Sequence, residues 1–265
     1  MITITPAVPA SFAYNDANAQ PMVSYINNLT EKALIDGALP SVNPRQNAVT
    51  ESTADFWQCT GADQLTTVTS GGSLSADIAF FAAHNLSGKT VNVLRWNGSA
   101  WVSVASVVPS SNDPFMIVFP NTSSLGWGFS VSAASQVGVA WIGPRLIIPG
   151  GVSPGYSPVW ASRMVKKLGG GSRKGHWMGQ RIEAVTAELR ADFTPQEYSF
   201  VSGALIPFLE HFENGSPFVW ASSPSFFTRD CAYCWAEDEE KLKITILTGG
   251  DLCSLSMEMI AYAEP

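Results

Sequence analysis

The chain has 265 residues, of which 46% are hydrophobic and 14% are charged, and its formal net charge is −7. A hydrophobic fraction of this size is typical of a protein with a packed core, so wholesale disorder is excluded. An acidic chain lacks the basic face that phosphate groups require, which argues against nucleic acid as the main partner. The low charged fraction indicates a surface that is uncharged and polar, or one that other chains cover.

The sequence contains no segment that predicts a membrane anchor. No stretch has the roughly 18 apolar residues that a membrane-spanning helix needs, so we expect no membrane insertion. The first residues carry neither the basic nor the apolar region of a signal peptide, and we expect assembly in a cytoplasm. Four cysteines in a chain of this length do not make a disulfide scaffold.

The first segment, residues 1–50, is predicted to be an extended N-terminal arm. Five prolines interrupt it, and one short helix is predicted near 23–35. Because so little of the segment is apolar, it must order against other residues. Two alternatives remain open, namely packing on its own domain and reaching a neighbouring subunit.

Residues 51–148 are predicted to form a β-sandwich, within a mainly β fold of short strands and Gly/Pro turns. Apolar or alternating segments predict the strands: 76–83, 90–96, 101–104, 115–119, 127–131 and 137–142. The continuous apolar run 115–119 is typical of a strand that is buried on both faces. Asn97-Gly98 is a strong hairpin signal between two of the strands.

Residues 149–265 are predicted to form a second β-rich unit with one helix. Strands are predicted at 185–193, 241–248 and 253–262. Thr194-Pro195-Gln196-Glu197 has the pattern of a helix start with a capping box, and Asn214-Gly215 that of a helix end. Pro207 lies inside the predicted helix and should kink or shorten it.

The three histidines, His84, His176 and His211, do not belong to a recognisable catalytic motif. A Ser-His-Asp site needs an activated serine, and the sequence has no G-x-S-x-G elbow. We therefore expect structural histidines that donate hydrogen bonds to the backbone, and we assign no catalytic residue and no enzymatic activity.

The acidic run Asp230, Glu237, Asp238, Glu239 and Glu240 is expected to be a solvated face or a contact between subunits. A glycosidase needs two carboxylates that are held across a cleft, and a contiguous run does not predict this arrangement. The alternative is a glycan hydrolase that uses Asp77, Asp113 or Glu210.

The four cysteines are Cys59, Cys231, Cys234 and Cys253, of which the second and third form a C-x-x-C pair. Zinc and iron–sulfur sites usually combine two close pairs of soft ligands, and here the second pair is missing. We expect Cys234, Cys253 or both to be small buried hydrophobic residues, and we assign no metal, no metal-binding residue and no cofactor. A metal or iron–sulfur site made by the four thiols stays an alternative.

Two surface features admit both a structural and a binding interpretation. The basic, glycine-rich loop 163–176 is either a flexible solvated loop or a loop that docks on the acidic run of an adjacent copy. Its residue order does not match a phosphate-binding loop. Trp96, Trp101 and Trp127 occur near predicted turns, where tryptophans are either core residues or flat faces that stack on pyranose rings.

The first unit also shows a family resemblance. The segments 77–88, 91–93, 98–101 and 137–146 contain an A-x-H-N-L stretch, a Gly and Trp pair, and an Ile-Gly-Pro-Arg-Leu stretch. This pattern resembles the discoidin-like, galactose-binding-type sandwich of minor tail proteins from long-tailed bacteriophages. In some relatives this sandwich resembles a carbohydrate-binding module.

The second unit reinforces the resemblance through Glu210–Trp220, Pro224 and Tyr233-Cys234-Trp235. These residues are similar to a pattern in tail-tip proteins of the distal tail type. The resemblance implies a tail-ring domain at 149–265 and a virion tail-tip location. It also implies a homo-oligomeric ring of six copies that joins the tail-tube protein to the baseplate hub proteins and receptor-binding parts. The alternative function is a carbohydrate-binding module that contacts a host-surface glycan.

Overall fold

The computed structural model of the protein describes residues 1–4, 17–29, 43–50, 52–68, 72–171, 177–236, 242–247 and 249–263. The strands in chain order are β1 Ile2–Ile4, β2 Met22–Ser24, β3 Trp57–Cys59, β4 Asp63–Val68, β5 Leu74–His84, β6 Val91–Trp96, β7 Trp101–Val107, β8 Phe115–Ser124, β9 Gly126–Val131, β10 Ser135–Gly143, β11 Leu146–Ile147, β12 Arg163–Gly171, β13 Trp177–Asp192, β14 Gln196–Glu197, β15 Phe218–Ala221, β16 Cys231–Trp235, β17 Leu242–Ile246 and β18 Leu252–Tyr262. The helical segments are α1 Tyr198–Phe200, a π-helical turn Val201–Leu205 and α2 Ile206–Glu213, with 3-10 turns at Ala17–Ala19, Arg45–Val49 and Val159–Ala161.

The described strands form three sheets, and the fold is mainly β, as predicted. The outer sheet has the order β4-β9-β6-β7, and the central sheet has the order β1-β8-β5-β10-β3. The wide sheet has the order β11-β2-β15-β16-β18-β13-β12, with β14 and β17 also paired to β18. The outer and central sheets enclose the core of the predicted β-sandwich. The wide sheet contains the strands of the predicted second unit together with β2 and β11, which lie before residue 149, and α2 packs on it through a separate core.

The central sheet is covered on both faces, which explains its continuous apolar runs. In β8, Phe115 and Ile117 belong to the sandwich core, whereas Met116 and Val118 pack against the wide sheet. Successive side chains of a strand point to opposite faces, so a strand between two sheets needs apolar residues at every position. The prediction that 115–119 is buried on both sides is confirmed.

The helix begins at Tyr198, three residues later than the predicted capping box places its start. Gln196 and Glu197 pair with β18 as the short strand β14, and the first helical residue is Tyr198. The backbone of Gln196 and Glu197 therefore belongs to the sheet and not to the first helical turn, and no side chain caps the helix. The predicted end is confirmed, because α2 stops at Glu213 and Gly215 adopts a φ of +69°.

Pro207 does not shorten the helix, which continues to Glu213. A proline in a regular α-helix clashes with the carbonyl four residues earlier and lacks an N–H donor. Here the residues before it, Val201–Leu205, form a wider π-helical turn that accommodates the ring.

None of the described helical segments combines the length and the apolar character needed to cross a lipid bilayer.

Two of the described parts of residues 1–50 form strands in the protein's own sheets, and two others form 3-10 turns. Strand β1 pairs in parallel with β8, and β2 lies between β11 and β15. The helix predicted near 23–35 is wrong for residues 23–29, because the backbone of Val23 pairs with Leu146 and Trp220. Residues 30–35 lie outside the described residues, and an arm that reaches a neighbouring subunit stays a prediction.

Most of the basic segment 163–176 is a strand and not the predicted loop. Residues Arg163–Gly171 are not a loop but the strand β12, which pairs with β13 along most of its length. An antiparallel partner close in sequence satisfies this backbone and places the strand at one end of the wide sheet. Residues 172–176 lie outside the described part of the chain.

Candidate functional site

The tip of the hairpin β6–β7 carries two tryptophans side by side. Trp96 and Trp101 are register partners, and their ring centroids lie 5.4 Å apart at an interplanar angle of 55°. The Asn97 side-chain oxygen accepts hydrogen bonds from the backbone N–H groups of Ser99 and Ala100, which closes the turn. The predicted hairpin is therefore confirmed. Both indoles are half-buried.

The tryptophan pair lies on the outward face of the outer sheet. In β9, Trp127, Phe129 and Val131 face the sandwich core, so Gly126 and Gly128 face outward. A Cβ atom on Gly126 would lie 2.9 Å from Cη2 of Trp101, which places this ring directly over the glycine.

The same outward face is shallow at its centre and polar farther along. A Cβ atom on Gly128 would lie 2.4 Å from the carbonyl oxygen of Leu65, so only glycine fits there. Asn92 donates from Nδ2 to Oγ of Ser130 at 3.1 Å across the same face. The surface thus combines an aromatic end with hydrogen-bonding groups. Flat indole faces can stack on the C–H groups of a pyranose, and the polar groups can bind hydroxyls.

Trp127 does not belong to this surface. It is fully buried in the sandwich core, and its Nε1 donates to the carbonyl oxygen of Leu74 at 2.9 Å. Of the three tryptophans that the sequence singled out, the structure brings two together and assigns the third to packing.

Both described histidines contact the backbone, and His211 does so as the donor that the sequence predicts, whereas His84 Nδ1 accepts. His84 is buried at the end of β5, where its Nδ1 accepts the backbone N–H of Leu86 at 3.2 Å. His211 Nε2 lies 2.8 Å from the carbonyl oxygen of Pro217, to which it donates. Burial lowers the pKa of His84 to about 4, against the opposing effect of Asp113. His176 lies outside the described residues.

Lowering the pH from 7 to 5 is expected to destabilise the protein by about 1–2 kcal/mol through His84. Its pKa falls from 6.5 to about 4 on folding, so between these values the unfolded chain binds a proton that the folded chain does not. Stability is therefore complete above the unfolded pKa and is lost as the pH falls toward 4. Urea unfolding of the native protein and of His84→Asn measures this, since Asn can still accept from Leu86. Equal losses in both proteins would contradict the assignment.

The carboxylates named for a hydrolase lie on different elements. Asp77 is buried and accepts from Nε of Arg145 at 2.9 Å, and burial raises its pKa while Arg145 opposes the rise. Asp113 precedes β8 and lies 3.6 Å from Arg229, and Glu210 is exposed on α2. The best buried of the three is therefore held in an ion pair with a structural role.

The prediction of a solvated acidic run is wrong at Asp230. This residue is fully buried, and its carboxyl group accepts the backbone N–H of Val159 at 2.9 Å and the hydroxyl of Ser222. Residues 237–240 lie outside the described part of the chain, so docking of the basic segment on them stays a prediction.

The four cysteines are buried and lie in three separate cores, which confirms the prediction for Cys234 and Cys253. Cys59 lies in the sandwich core, Cys231 between the central and wide sheets, and Cys234 and Cys253 beneath the helix. Cys231 and Cys234 are three residues apart on one strand, so they point to opposite faces. Burial raises the pKa of the Cys231 thiol to about 11. Among the described residues, no group of three or more metal-binding side chains lies together.

A second surface feature was not predicted from the sequence. The Trp160 cleft lies where the sandwich meets the wide sheet and is lined by Asp113, Pro114, Trp160, Arg163, Arg229 and Tyr262, with Met1, Val159, Cys231 and Ala263. Trp160 is 60% exposed. The one local signal was a tryptophan inside a Ser/Pro-rich bridge that lacks alternating apolar neighbours.

No protein-family model matches the sequence, and no curated protein matches it either. Solved structures show a remote likeness. Chitosan-binding module 1 of the chitosanase/glucanase from Paenibacillus sp. IK-5 is 11% identical, with a TM-score of 0.37 over 44% of this chain and 98% of that chain. Module 2 of the same enzyme, in complex with chitotriose, is 13% identical, with a TM-score of 0.37 over 44% and 99%. The CBM32 of AlyQ, in complex with 4,5-unsaturated mannuronic acid, is 15% identical, with a TM-score of 0.33 over 42% and 92%.

These similar structures are described as binding modules for chitosan or as carbohydrate-binding modules, and none of the three is described as a virion protein. At identities of 15% or less and TM-scores below 0.5, the likeness does not carry an argument about what this chain binds.

Proposed function

We propose that the sandwich of this chain binds carbohydrate without cleaving it, as a module that contacts a glycan on a host-cell surface. The observation that carries the proposal is the half-buried Trp96–Trp101 pair at the tip of a rigid hairpin. Tryptophan has the largest apolar side chain. Two partly exposed indole rings are unfavourable in water unless a ligand covers them.

The support beneath the pair is preorganised. The carbonyl oxygen of Trp96 accepts the hydroxyl of Ser124 at 2.8 Å, which ties the hairpin to the neighbouring sheet. Trp101 is seated over Gly126, so its indole has a fixed position above the strand. A ligand that meets rings already held in place loses less conformational entropy on binding.

Replacing Trp101 by alanine is expected to weaken glycan binding at least about tenfold, which corresponds to about 1.4 kcal/mol. The measurement is a glycan array with the purified protein, followed by calorimetric titration of the best neutral oligosaccharide. Phe226→Ala is the matched control, because Phe226 is an exposed aromatic residue before the wide-sheet strand β16. A blank array for the folded native protein, or equal affinity for native protein and Trp101→Ala, would refute the proposal.

A second candidate function follows from the distribution of exposed apolar side chains. Large hydrophobic residues that are exposed occur mostly outside the sandwich, at Ile26, Trp160, Met164, Tyr198, Ile206, Phe226, Phe227, Ile244, Ile246 and Leu252. Such residues mark surfaces that other chains cover. We propose that the chain is a structural subunit of a bacteriophage tail tip, assembled in the host cytoplasm as a ring of six copies between the tail-tube and baseplate hub proteins.

The mass of the purified protein in solution, with imaging of virions, tests this second function. Self-association that weakens in Phe226→Ser/Phe227→Ser would support it, with Val102→Ser on the sandwich as the control. A native protein that stays monomeric at high concentration and is missing from virions would exclude it.

A further inference from the structure

We infer that the Trp160 cleft is a second binding site, separate from the hairpin tip, and that it takes a saccharide bearing a carboxylate. The cleft combines an exposed indole with two guanidinium groups and one carboxyl group. This inference does not depend on glycan binding by Trp96 and Trp101, because none of the residues involved is shared.

Trp160 is exposed but held on a firm support. It is the middle residue of the 3-10 turn Val159–Ala161, in which Ala161 N–H donates to the carbonyl oxygen of Pro158 at 2.9 Å. The backbone N–H of Val159 donates to the fully buried Asp230 at 2.9 Å. A buried carboxyl group thus anchors the turn that presents an exposed ring. This arrangement is suited to a ligand-stacking surface, since the ring does not have to be ordered on binding.

One of the two cationic side chains of the cleft comes from the residue next to Asp230 in the chain. Arg229 directly precedes Asp230, and its guanidinium lies 3.6 Å from the carboxylate of Asp113. Both side chains of this ion pair are more than half exposed, so the pair is weak and can open to a ligand. Among the residues whose side chains the structure describes, no carboxylate forms an ion pair with Arg163, the second cationic side chain of the cleft.

The charge balance favours a ligand that places a single carboxylate in the cleft. Two guanidinium groups and one carboxylate leave one excess positive charge among the side chains of the cleft. Guanidinium groups bind carboxylates through paired, charge-assisted hydrogen bonds. Asp113 can accept hydrogen bonds from sugar hydroxyls, and it would repel a densely charged ligand such as a polyphosphate. Trp160 supplies the flat surface for the C–H face of the ring.

The test uses the full chain and three probes, namely trigalacturonate, trimannuronate and a sialylated trisaccharide, each titrated by calorimetry beside a neutral trisaccharide. At least one acidic probe should bind, and its Kd should rise about tenfold or more in Trp160→Ala and in Arg163→Gln. Binding should weaken as salt is added, because the contact is charge-assisted. Phe226→Ala is the matched control and should keep the affinity for the acidic probe, because Phe226 is an exposed aromatic residue that does not line the cleft.

Three results would overturn the inference. In the first, none of the acidic probes binds to the folded protein. In the second, Trp160→Ala binds the acidic probe as tightly as the native protein. In the third, Trp160→Ala changes the mass of the protein in solution and leaves saccharide binding unchanged, which would make Trp160 a subunit contact. Loss of neutral-glycan binding in Trp101→Ala alone concerns the hairpin tip and leaves this site unaffected.

Discussion

Replacing Phe80 by alanine is expected to lower the free energy of unfolding by about 3–5 kcal/mol, as much as replacing Phe81. The two residues are neighbours on β5 and point to opposite faces of the central sheet. Phe81 contacts Phe115 and Phe129 in the sandwich core, with ring centroids 5.0 Å apart in both pairs. Phe80 packs in the core between the central and wide sheets, and both residues are fully buried.

The comparison tests whether the sandwich and the wide sheet form one packed structure. If the sandwich stood alone, Phe80 would face solvent, and its replacement would cost within about 0.5 kcal/mol. Denaturant unfolding of the two variants gives the answer, with Phe226→Ala as the exposed control. A cost for Phe80→Ala that equals the control would contradict the burial of the central sheet on both faces.

Replacing Asp230 by alanine is expected to destabilise the protein by about 2–4 kcal/mol, because two buried donors lose their acceptor. The donors are the backbone N–H of Val159 and the hydroxyl of Ser222. The carboxyl group of Asp230 also contributes to a raised pKa of Tyr156, after the larger effect of burial. Asp230→Asn should cost less, since an amide oxygen can still accept from Val159.

Asp192→Ala is the matched control for this prediction. Asp192 pairs with Arg190 at 3.0 Å on the surface, and such exposed pairs contribute little to stability. Thermal and denaturant unfolding of the three variants measure the difference. If Asp230→Ala is no less stable than Asp192→Ala, the carboxyl group does not anchor the turn that carries Trp160.

The alternation of apolar and polar residues along the chain predicted most strands correctly, because the apolar residues of a strand lie on its buried face. The segment 253–262 became β18, and the hairpin at Asn97-Gly98 formed where the turn residues indicated. The errors occurred where a distant partner competed with a local signal. The capping-box residues Thr194–Glu197 are good helix formers at a helix start, but β18 recruited Gln196 and Glu197 into the sheet.

The candidate sites differ in how far the sequence could predict them. The Trp96–Trp101 pair is local, because a hairpin brings together residues five positions apart. The Trp160 cleft is assembled from residues 113, 160, 163 and 229, and no local pattern indicates that they meet. Trp127 is not part of the hairpin surface because its side chain points to the core face of β9. Which face of β9 meets the core is seen only in the folded structure.

The residue pattern was enough to predict the mainly β fold, the positions of most strands and the hairpin that carries two tryptophans. It did not reveal that the central sheet is buried on both faces, that the four cysteines lie in three separate cores, or that Asp230 is internal. Periodicity reports only which side chains of a strand avoid water. Which sheet or charge they meet depends on contacts between residues that are far apart in the chain.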